Sequence, residues 1–161
     1  MKSIRKPYKK NIFAPKKDKP IRETDSFKIF TGKGNILLMD DDEMIRVFAR
    51  ECLAELGYNV SLSTNGAEAI ALYKKAIEIN KPFDLIILDL CIPNGIGGEE
   101  TLKRIKEINP SVKAILSSGS YDDPVMVDYK KYGFTAVVPK PYTVHQLSKN
   151  IYKVLRGLIY S

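Results

Sequence analysis

The sequence has few of the residues that covalent or metal cross-links, membrane spans and secretion signals require. Its 161 residues include no tryptophan, one histidine and two cysteines, Cys52 and Cys91, which lack metal-ligand spacing. This cysteine content excludes a disulfide framework and makes a reducing cytoplasm the expected compartment. Apolar runs such as residues 85–88 fall far short of the roughly 20 residues that span a bilayer. Lysine and proline punctuate the N-terminal region, so a secretory signal is also excluded.

The excess of positive charge belongs to one end of the chain. The formal net charge is +7, but residues 1–33 contain eleven Lys/Arg against three Asp/Glu, and the rest of the chain is close to neutral. Prolines at positions 7, 15 and 20 interrupt this segment, which has no sustained periodicity. We therefore expect a basic tail or linker over residues 1–33, with an acidic surface as its candidate contact, and a folded domain over residues 34–161.

From residue 35 onward, short apolar runs alternate with segments of helical periodicity. The predicted strands cover residues 35–40, 58–62, 84–89, 112–116 and 134–138. The predicted helices cover residues 43–56, 99–108 and 124–132, with two more after the N-caps Asn65 and Thr143. The first helix has the predicted inward face Met44, Val47, Phe48, Cys52, Leu53 and Leu56. Five strands, each followed by a helix, predict an α/β fold with a doubly wound parallel sheet.

Polar residues lie at the ends of four of these strands, on the side where such sheets bind ligands. Asp40 and Asp41 follow the first strand, and Asp89 ends the third. Ser118 and Lys140 follow the fourth and fifth strands. Three carboxylates at one rim repel each other unless a cation lies between them, and Mg²⁺ prefers oxygen ligands. Together with a lysine and a hydroxyl, the set is typical of a phosphoryl-transfer site; the alternative is that the first acids only stabilise a helix N-terminus.

Four motifs in this order resemble the receiver domain of two-component response regulators, especially receivers fused to sensor histidine kinases. They are LLMDDDEMIR, DLIILDLCIPNGIGG, ILSSG and VVPKPY, and the resemblance covers residues 35–158. It implies a flavodoxin-like (βα)5 sheet in strand order 2-1-3-4-5, with Asp89 as the phosphoacceptor. It further implies Mg²⁺ bound by Asp40, Asp41, Asp89 and the backbone carbonyl of Cys91, with Ser118 and Lys140 as the catalytic hydroxyl and ammonium.

The function implied by this resemblance is a signalling switch and not a conventional turnover enzyme. A histidine kinase or histidine phosphotransfer protein would donate a phosphoryl group to Asp89, and the domain would then change a protein-protein interaction. A second receiver copy is a further candidate partner, and no direct DNA binding by the domain is expected. The resemblance also implies a cis peptide bond between Lys140 and Pro141. The chain is either a stand-alone receiver or a piece of a larger kinase or regulator.

Two departures from the family pattern concern output and loop structure. Val137 occupies the position, three before Lys140, where the family usually has an aromatic residue, so the usual aromatic coupling to the output face is in doubt. Residues 94–98 (NGIGG) replace the usual wording after the turn proline and predict a more mobile loop. Two alternatives remain: a pseudo-receiver that binds partners without phosphate, and a small phosphatase or flavin protein of the same topology.

Overall fold

The structure, a computed structural model that describes residues 28–159, alternates parallel strands with helices. The strands are β1 (Gly34–Met39), β2 (Tyr58–Ser63), β3 (Leu85–Asp89), β4 (Ala114–Ser118) and β5 (Ala136–Pro139). The helices are α1 (Glu43–Glu55), α2 (Gly66–Glu78), α3 (Gly98–Ile108), α4 (Pro124–Val127) and α5 (Val144–Leu155). The strand order β2-β1-β3-β4-β5, with all pairs parallel, confirms the predicted fold. No helix of the described range is long and apolar enough to span a membrane.

The sheet lies between two apolar cores because successive side chains of a strand point to opposite faces. Ile36 and Leu38 enter the core beneath α1 and α5, together with Leu147 of α5. Leu37 and Met39 enter the other core, beneath α2 and α3. Strands buried on both faces are apolar throughout, so polar residues collect where the strands end. The fold therefore gathers its polar chemistry at the carboxyl edge of the sheet.

The predicted helix caps are present. The Asn65 side chain accepts a hydrogen bond from the backbone N–H of Glu68 at 3.1 Å at the start of α2. Thr143 and Gln146 form a reciprocal capping box at the start of α5. These local bonds satisfy N–H groups that a helix leaves without partners, and they fix where each helix leaves the carboxyl edge of the sheet.

Three predicted elements were wrong in their bounds, including the fifth strand, which covers Ala136–Pro139 and not residues 134–138. The helix predicted over 124–132 ends at Val127, because the chain then forms tight turns, with Lys131 N–H bonded to the Asp128 carbonyl at 2.8 Å. The β-branched residues of α4 also favour helix weakly. The fourth strand begins at Ala114 and not at residue 112, because the Val112 N–H bonds the Asn109 carbonyl in a turn. The strand also ends two residues later than predicted, at Ser118, so its end includes two serines.

The predicted inward face of α1 was wrong at Met44 and Phe48. Met44 is 81% exposed and Phe48 41% exposed, whereas Ala49 and Leu53 are fully buried. Because α1 begins above the carboxyl edge of the sheet, its first turn has no strand beneath it. The two exposed side chains therefore lie beside the polar edge, and the Phe48 ring is 6.4 Å from the Tyr142 ring.

The segment before β1, residues 28–33, packs along α5, and we call it the N-terminal strap. The Phe30 ring lies 5.0 Å from the Tyr152 ring, and the Gly32 N–H donates to the Leu56 carbonyl at 2.9 Å. These contacts run from the middle of α5 to the region where α1 meets β2. The strap therefore covers one side of α5 and is continuous with the folded domain.

The strap corrects the predicted boundary of the basic tail. The His145 ring Nδ1 lies 2.8 Å from the Lys28 carbonyl oxygen, so the contact with α5 begins at the first described residue. Residues 28–33, predicted as the end of a tail, thus pack on the domain. The segment packs through the apolar side chain of Phe30 and through backbone hydrogen bonds. Local composition does not distinguish such a segment from a linker. Residues 1–27 lie outside the described residues, and their prediction as a basic tail stays a prediction.

The strap predicts a stability effect for one aromatic side chain. We expect Phe30→Ala to lower the melting temperature by about 4 °C or more, roughly 1 kcal/mol for a domain of this size, because the half-buried ring packs on Tyr152. The matched control is Ile29→Ala, whose side chain is 49% exposed and should change the melting temperature little. Equal melting temperatures for both variants in a thermal scan followed by circular dichroism would contradict the packing of the strap.

Candidate functional site

Three strands deliver charged side chains to one point at the carboxyl edge of the sheet. Asp40 follows β1, Asp89 ends β3, and Lys140 follows β5. The Lys140 ammonium lies 2.6 Å from Asp40 Oδ2 and 3.0 Å from Asp89 Oδ2. Both carboxylates are buried, with 2% and 6% of Asp40 and Asp89 exposed. One ammonium therefore holds two buried carboxylates side by side.

The position of Lys140 is fixed by its backbone. Its N–H donates to the Ser118 carbonyl at 2.8 Å, and its own carbonyl accepts the Tyr121 hydroxyl at 2.9 Å. The Lys140-Pro141 peptide is cis, which confirms that prediction. These bonds tie the lysine to the end of β4, so its side chain reaches across that strand to Asp89.

Asp40, Asp41 and Asp42 have different roles although they are consecutive. Asp40 Oδ1 accepts the Asp42 N–H at 3.0 Å, and the Asp42 carboxylate accepts the Met44 N–H at 2.8 Å as the N-cap of α1. The alternative of helix stabilisation therefore describes Asp42. Asp41 is exposed and caps no helix. Its carboxylate lies close to those of Asp40 and Asp89.

The three carboxylates form a group suited to a hard cation. One oxygen from each of Asp40, Asp41 and Asp89 lies within 4.8 Å of the other two. With the single ammonium of Lys140 against them, the ionised cluster is left with excess negative charge. Oxygen donors and incomplete charge balance match the requirements of Mg²⁺, so these residues fit the metal implied by the resemblance. Within residues 28–159, no other group of three or more such ligands was found.

Cys91 contributes through its backbone. Burial raises the pKa of Asp89 and Lys140 lowers it, and the Cys91 backbone makes the last of the contributions that lower it; the Cys91 thiol is exposed to solvent. The backbone at this position thus faces the acceptor, as the resemblance requires. Its carbonyl as a metal ligand stays a prediction.

Burial and ion pairing shift the pKa values of the central pair. Burial raises the pKa of Asp89, and the hydrogen bond from Lys140 offsets only part of that shift. Burial alone would lower the pKa of Lys140, but hydrogen bonds from its ammonium to Asp40 and Asp89 raise it overall. The cluster therefore holds a firmly protonated lysine beside a carboxylate whose charge is poorly compensated.

Two serines end β4, and the structure separates them. Ser118, the predicted catalytic hydroxyl, is buried, and its Oγ accepts the Ser120 N–H at 3.1 Å. Its backbone, and not its hydroxyl, is what contacts Lys140. Ser117, which the sequence argument passed over, is the register partner of Asp89, and its buried Oγ has no hydrogen-bond partner among the described residues. The signal for it was the doubled serine in ILSSG.

The loop from β3 to α3 fits closely over the acceptor strand. A Cβ on Gly98 would lie 2.6 Å from the Asp89 carbonyl oxygen, and one on Gly97 would overlap the Leu90 carbonyl. The Gly98 N–H also donates to the Leu90 carbonyl at 3.2 Å. These two glycines therefore permit close approach of backbone to backbone, whereas the sequence had suggested loop mobility.

Comparison with protein families places this site in a known context. Residues 36–152 match the response regulator receiver domain. The chain is 28% identical over 120 residues to the chemotaxis protein CheY of Thermotoga maritima, covering 74% of this chain and 95% of that protein. It is 29% identical over 120 residues to the sporulation initiation phosphotransferase F of Bacillus subtilis, covering 74% of this chain and 92% of that protein.

Longer relatives and solved structures agree. Sensor kinase CckA of Brucella abortus is 26% identical over 145 residues, which cover 88% of this chain and 14% of the kinase, so the chain spans about a seventh of that relative. The chemotaxis protein CheY4 of Vibrio cholerae superposes with a TM-score of 0.68 at 26% identity, covering 76% of this chain and 99% of that structure. The chain belongs to the response regulator receiver domain family.

Proposed function

We propose that this receiver accepts a phosphoryl group from a phosphohistidine onto Asp89 in a Mg²⁺-dependent reaction and thereby switches a protein-protein interaction. The observation that carries the proposal is the burial of the Asp89 carboxylate beside Asp40 and Asp41 and within 3.0 Å of the Lys140 ammonium. It supports the proposal because an attacking carboxylate, an acidic metal site and a fixed cation are the parts that phosphoryl transfer needs.

The transfer balances with the groups of this site. An Asp89 oxygen attacks phosphorus, the phosphorus–nitrogen bond of the donor breaks, and its electron pair leaves with the imidazole. An acyl phosphate remains on Asp89. Mg²⁺ held by Asp40, Asp41, Asp89 and the Cys91 carbonyl would neutralise charge between the acceptor and the phosphoryl oxygens. Lys140 would exchange its contact with Asp89 for a phosphoryl oxygen, and the Ser118 hydroxyl would turn from the Ser120 N–H to donate to another.

An apolar groove beside the site supports a helical donor as partner. It has a volume of about 480 Å³ and lies between the first two turns of α1 and the start of the β5–α5 loop. Its lining consists of Met44, Ile45, Phe48, Lys140, Pro141 and Tyr142. Lys140 lines the groove and also contacts the acidic cluster. The side chains of a helix bound in the groove would therefore reach Asp89. A phosphohistidine on the helix of a kinase or phosphotransfer protein fits this arrangement.

The relatives support a histidine kinase pathway. They include a sensor kinase, a chemotaxis protein and a sporulation phosphotransferase, and the last two are matched over almost their full length. The role is that of a signalling phosphoacceptor and not of a turnover enzyme. The chain differs from the family pattern at Val137, where the family usually has an aromatic residue. Val137 is half-buried and packs against the core next to α3 and α4. A switch based on an aromatic rotamer is therefore not available at that position.

A pseudo-receiver that binds partners without phosphate is the second candidate. Such a protein does not need a buried cluster of carboxylates with too few positive charges to balance it. A cluster of this kind lowers the stability of the fold, and phosphorylation gives a reason for it. The intact set of Asp40, Asp89 and Lys140 therefore favours phosphorylation.

The first test is labelling of the acceptor. Wild-type protein incubated with acetyl phosphate and Mg²⁺ should gain one acid-labile phosphoryl group, and Asp89→Asn should gain none, because an amide is not a nucleophile for phosphorus. Intact-mass spectrometry measures the gain. Labelling of wild type that persists in EDTA would contradict the metal requirement, and equal labelling of Asp89→Asn would contradict the acceptor.

The second test separates the metal ligand from the helix cap. We expect Asp41→Ala to weaken Mg²⁺ binding about tenfold or more, and Asp42→Ala to leave it nearly unchanged while lowering the melting temperature, because Asp42 caps α1. NMR shifts during a Mg²⁺ titration report the affinity, since the chain has no tryptophan. Equal loss of affinity in both variants would show that the second ligand is misassigned.

The third test uses the pH dependence of stability. Because burial raises the pKa of Asp89, its charged form opposes folding once the pH rises through that pKa. Without divalent ions, Asp89→Asn should therefore raise the melting temperature at pH 7 by about 4 °C, which corresponds to roughly 1 kcal/mol for a domain of this size. The gain should shrink as the pH falls toward 4, where the wild-type carboxyl becomes neutral. A variant less stable than wild type at pH 7 would contradict the raised pKa.

A further inference from the structure

Ser117 belongs to a row of neighbouring residues across the sheet. The family resemblance gives Ser117 no role. Ser117 pairs with Asp89 on β3 and with Val138 on β5. Met39 pairs with Leu88, so the next residues along these strands, Asp40 and Asp89, also lie side by side. The row across the sheet is thus Asp40, Asp89, Ser117 and Val138.

All four side chains of this row lie on the same face of the sheet. Leu38, Ile87 and Ile115 enter the core beneath α1 and α5, and each lies two residues before a member of the row. Because strand side chains repeat every second residue, Asp40, Asp89 and Ser117 face the same side. Lys140 lies two residues after Val138 on that face. Its side chain must cross β4 above Ser117 to reach the two carboxylates.

The Ser117 hydroxyl lowers the stability of the fold, because it is buried without a hydrogen-bond partner. It is 2% exposed, and its Oγ is the single buried side-chain polar atom without a partner in the described part of the chain. Ser63, an equally buried serine at the end of β2, instead donates to the Leu38 carbonyl at 3.4 Å. A buried hydroxyl without a partner destabilises a fold, so its presence beside the acceptor indicates a partner in another state of the site.

We propose that Ser117 is a positioning residue that accepts an N–H of the Lys140 ammonium when a cation engages the carboxylates. This inference rests on the proposed function. An ammonium has three donors, and Asp40 and Asp89 accept two of them in the structure. Once these oxygens turn to a metal ion, the lysine loses acceptors, and the unpartnered hydroxyl of Ser117 lies in the row that its side chain crosses. The bond keeps the ammonium over Asp89 in the loaded site.

The proposal predicts that Ser117→Ala has opposite effects without and with Mg²⁺. Ser117→Ala removes an atom without a partner, so the melting temperature in EDTA should be unchanged or higher. In the loaded site the same change removes an acceptor from a charged donor, so the apparent Mg²⁺ affinity should fall roughly tenfold. A packing role alone would lower the melting temperature and leave the affinity unchanged.

The experiment compares full-length wild type, Ser117→Ala and the matched control Ser63→Ala. Melting temperatures are measured in EDTA, and Mg²⁺ titrations follow the ¹⁵N and side-chain ¹H signals of the Lys140 ammonium by NMR. We expect the Lys140 signals of wild type and Ser63→Ala to shift alike, and those of Ser117→Ala to shift less and at higher Mg²⁺. A lower melting temperature of Ser117→Ala in EDTA, or a titration identical to that of wild type, would overturn the proposal.

Acetyl phosphate labelling of the same proteins separates this proposal from the one on which it rests. If wild type is labelled at Asp89 and Ser117→Ala is labelled at the same rate and Mg²⁺ midpoint, the role of Ser117 fails and the phosphoacceptor function stands. If wild type is not labelled but the Lys140 titrations still differ, the function fails and the contact between Ser117 and Lys140 stands.

Discussion

The buried ammonium of Lys140 is the interaction on which the carboxyl edge of this protein depends. It contacts two carboxylates that would otherwise repel each other in a site with little access to water. The compensation is incomplete, because Asp41 adds a third carboxylate to the same cluster. A buried charge group that is short of positive charge favours the arrival of a cation and makes the acceptor wait for it. Under the proposed function, the same imbalance that lowers the stability of the metal-free protein would favour metal binding.

The rest of the fold serves to bring this cluster together and to expose it on one side. In the central strands β1, β3 and β4, buried apolar residues lead up to the carboxyl edge, so the polar side chains that follow them meet there. The cap at Asp42 starts α1 directly beside the acids, and its first two turns expose Met44 and Phe48 to solvent. The site therefore has a polar floor for the chemistry and an apolar margin for a protein partner, both built from adjacent residues of the chain.

The sequence predicted what depends on periodicity and strand ends, and failed where tertiary contacts decide. The parallel sheet and the meeting of Asp40 with Asp89 follow from strands that share one edge, whereas the strand order was implied only by the family resemblance. The exposure of Phe48 depends on which part of α1 overhangs the sheet, which a helical wheel does not contain. The packing of Phe30 on α5 joins segments more than a hundred residues apart. The orphaned hydroxyl of Ser117 depends on register across β3 and β4, which the doubled serine alone leaves open.

The most direct test of the charge balance is the Mg²⁺ affinity of Lys140→Met, measured by calorimetry against wild type and the control Lys103→Met, which removes an exposed charge of α3. If the ammonium is the competitor of the metal for Asp40 and Asp89, its loss should tighten Mg²⁺ binding about tenfold or more. A unit charge at about 4 Å contributes on the order of 1–4 kcal/mol at effective dielectric constants of roughly 80 to 20. Lys103→Met should bind as wild type does. Weaker binding by Lys140→Met would contradict the account, because it would mean that the lysine builds the metal site and does not balance it.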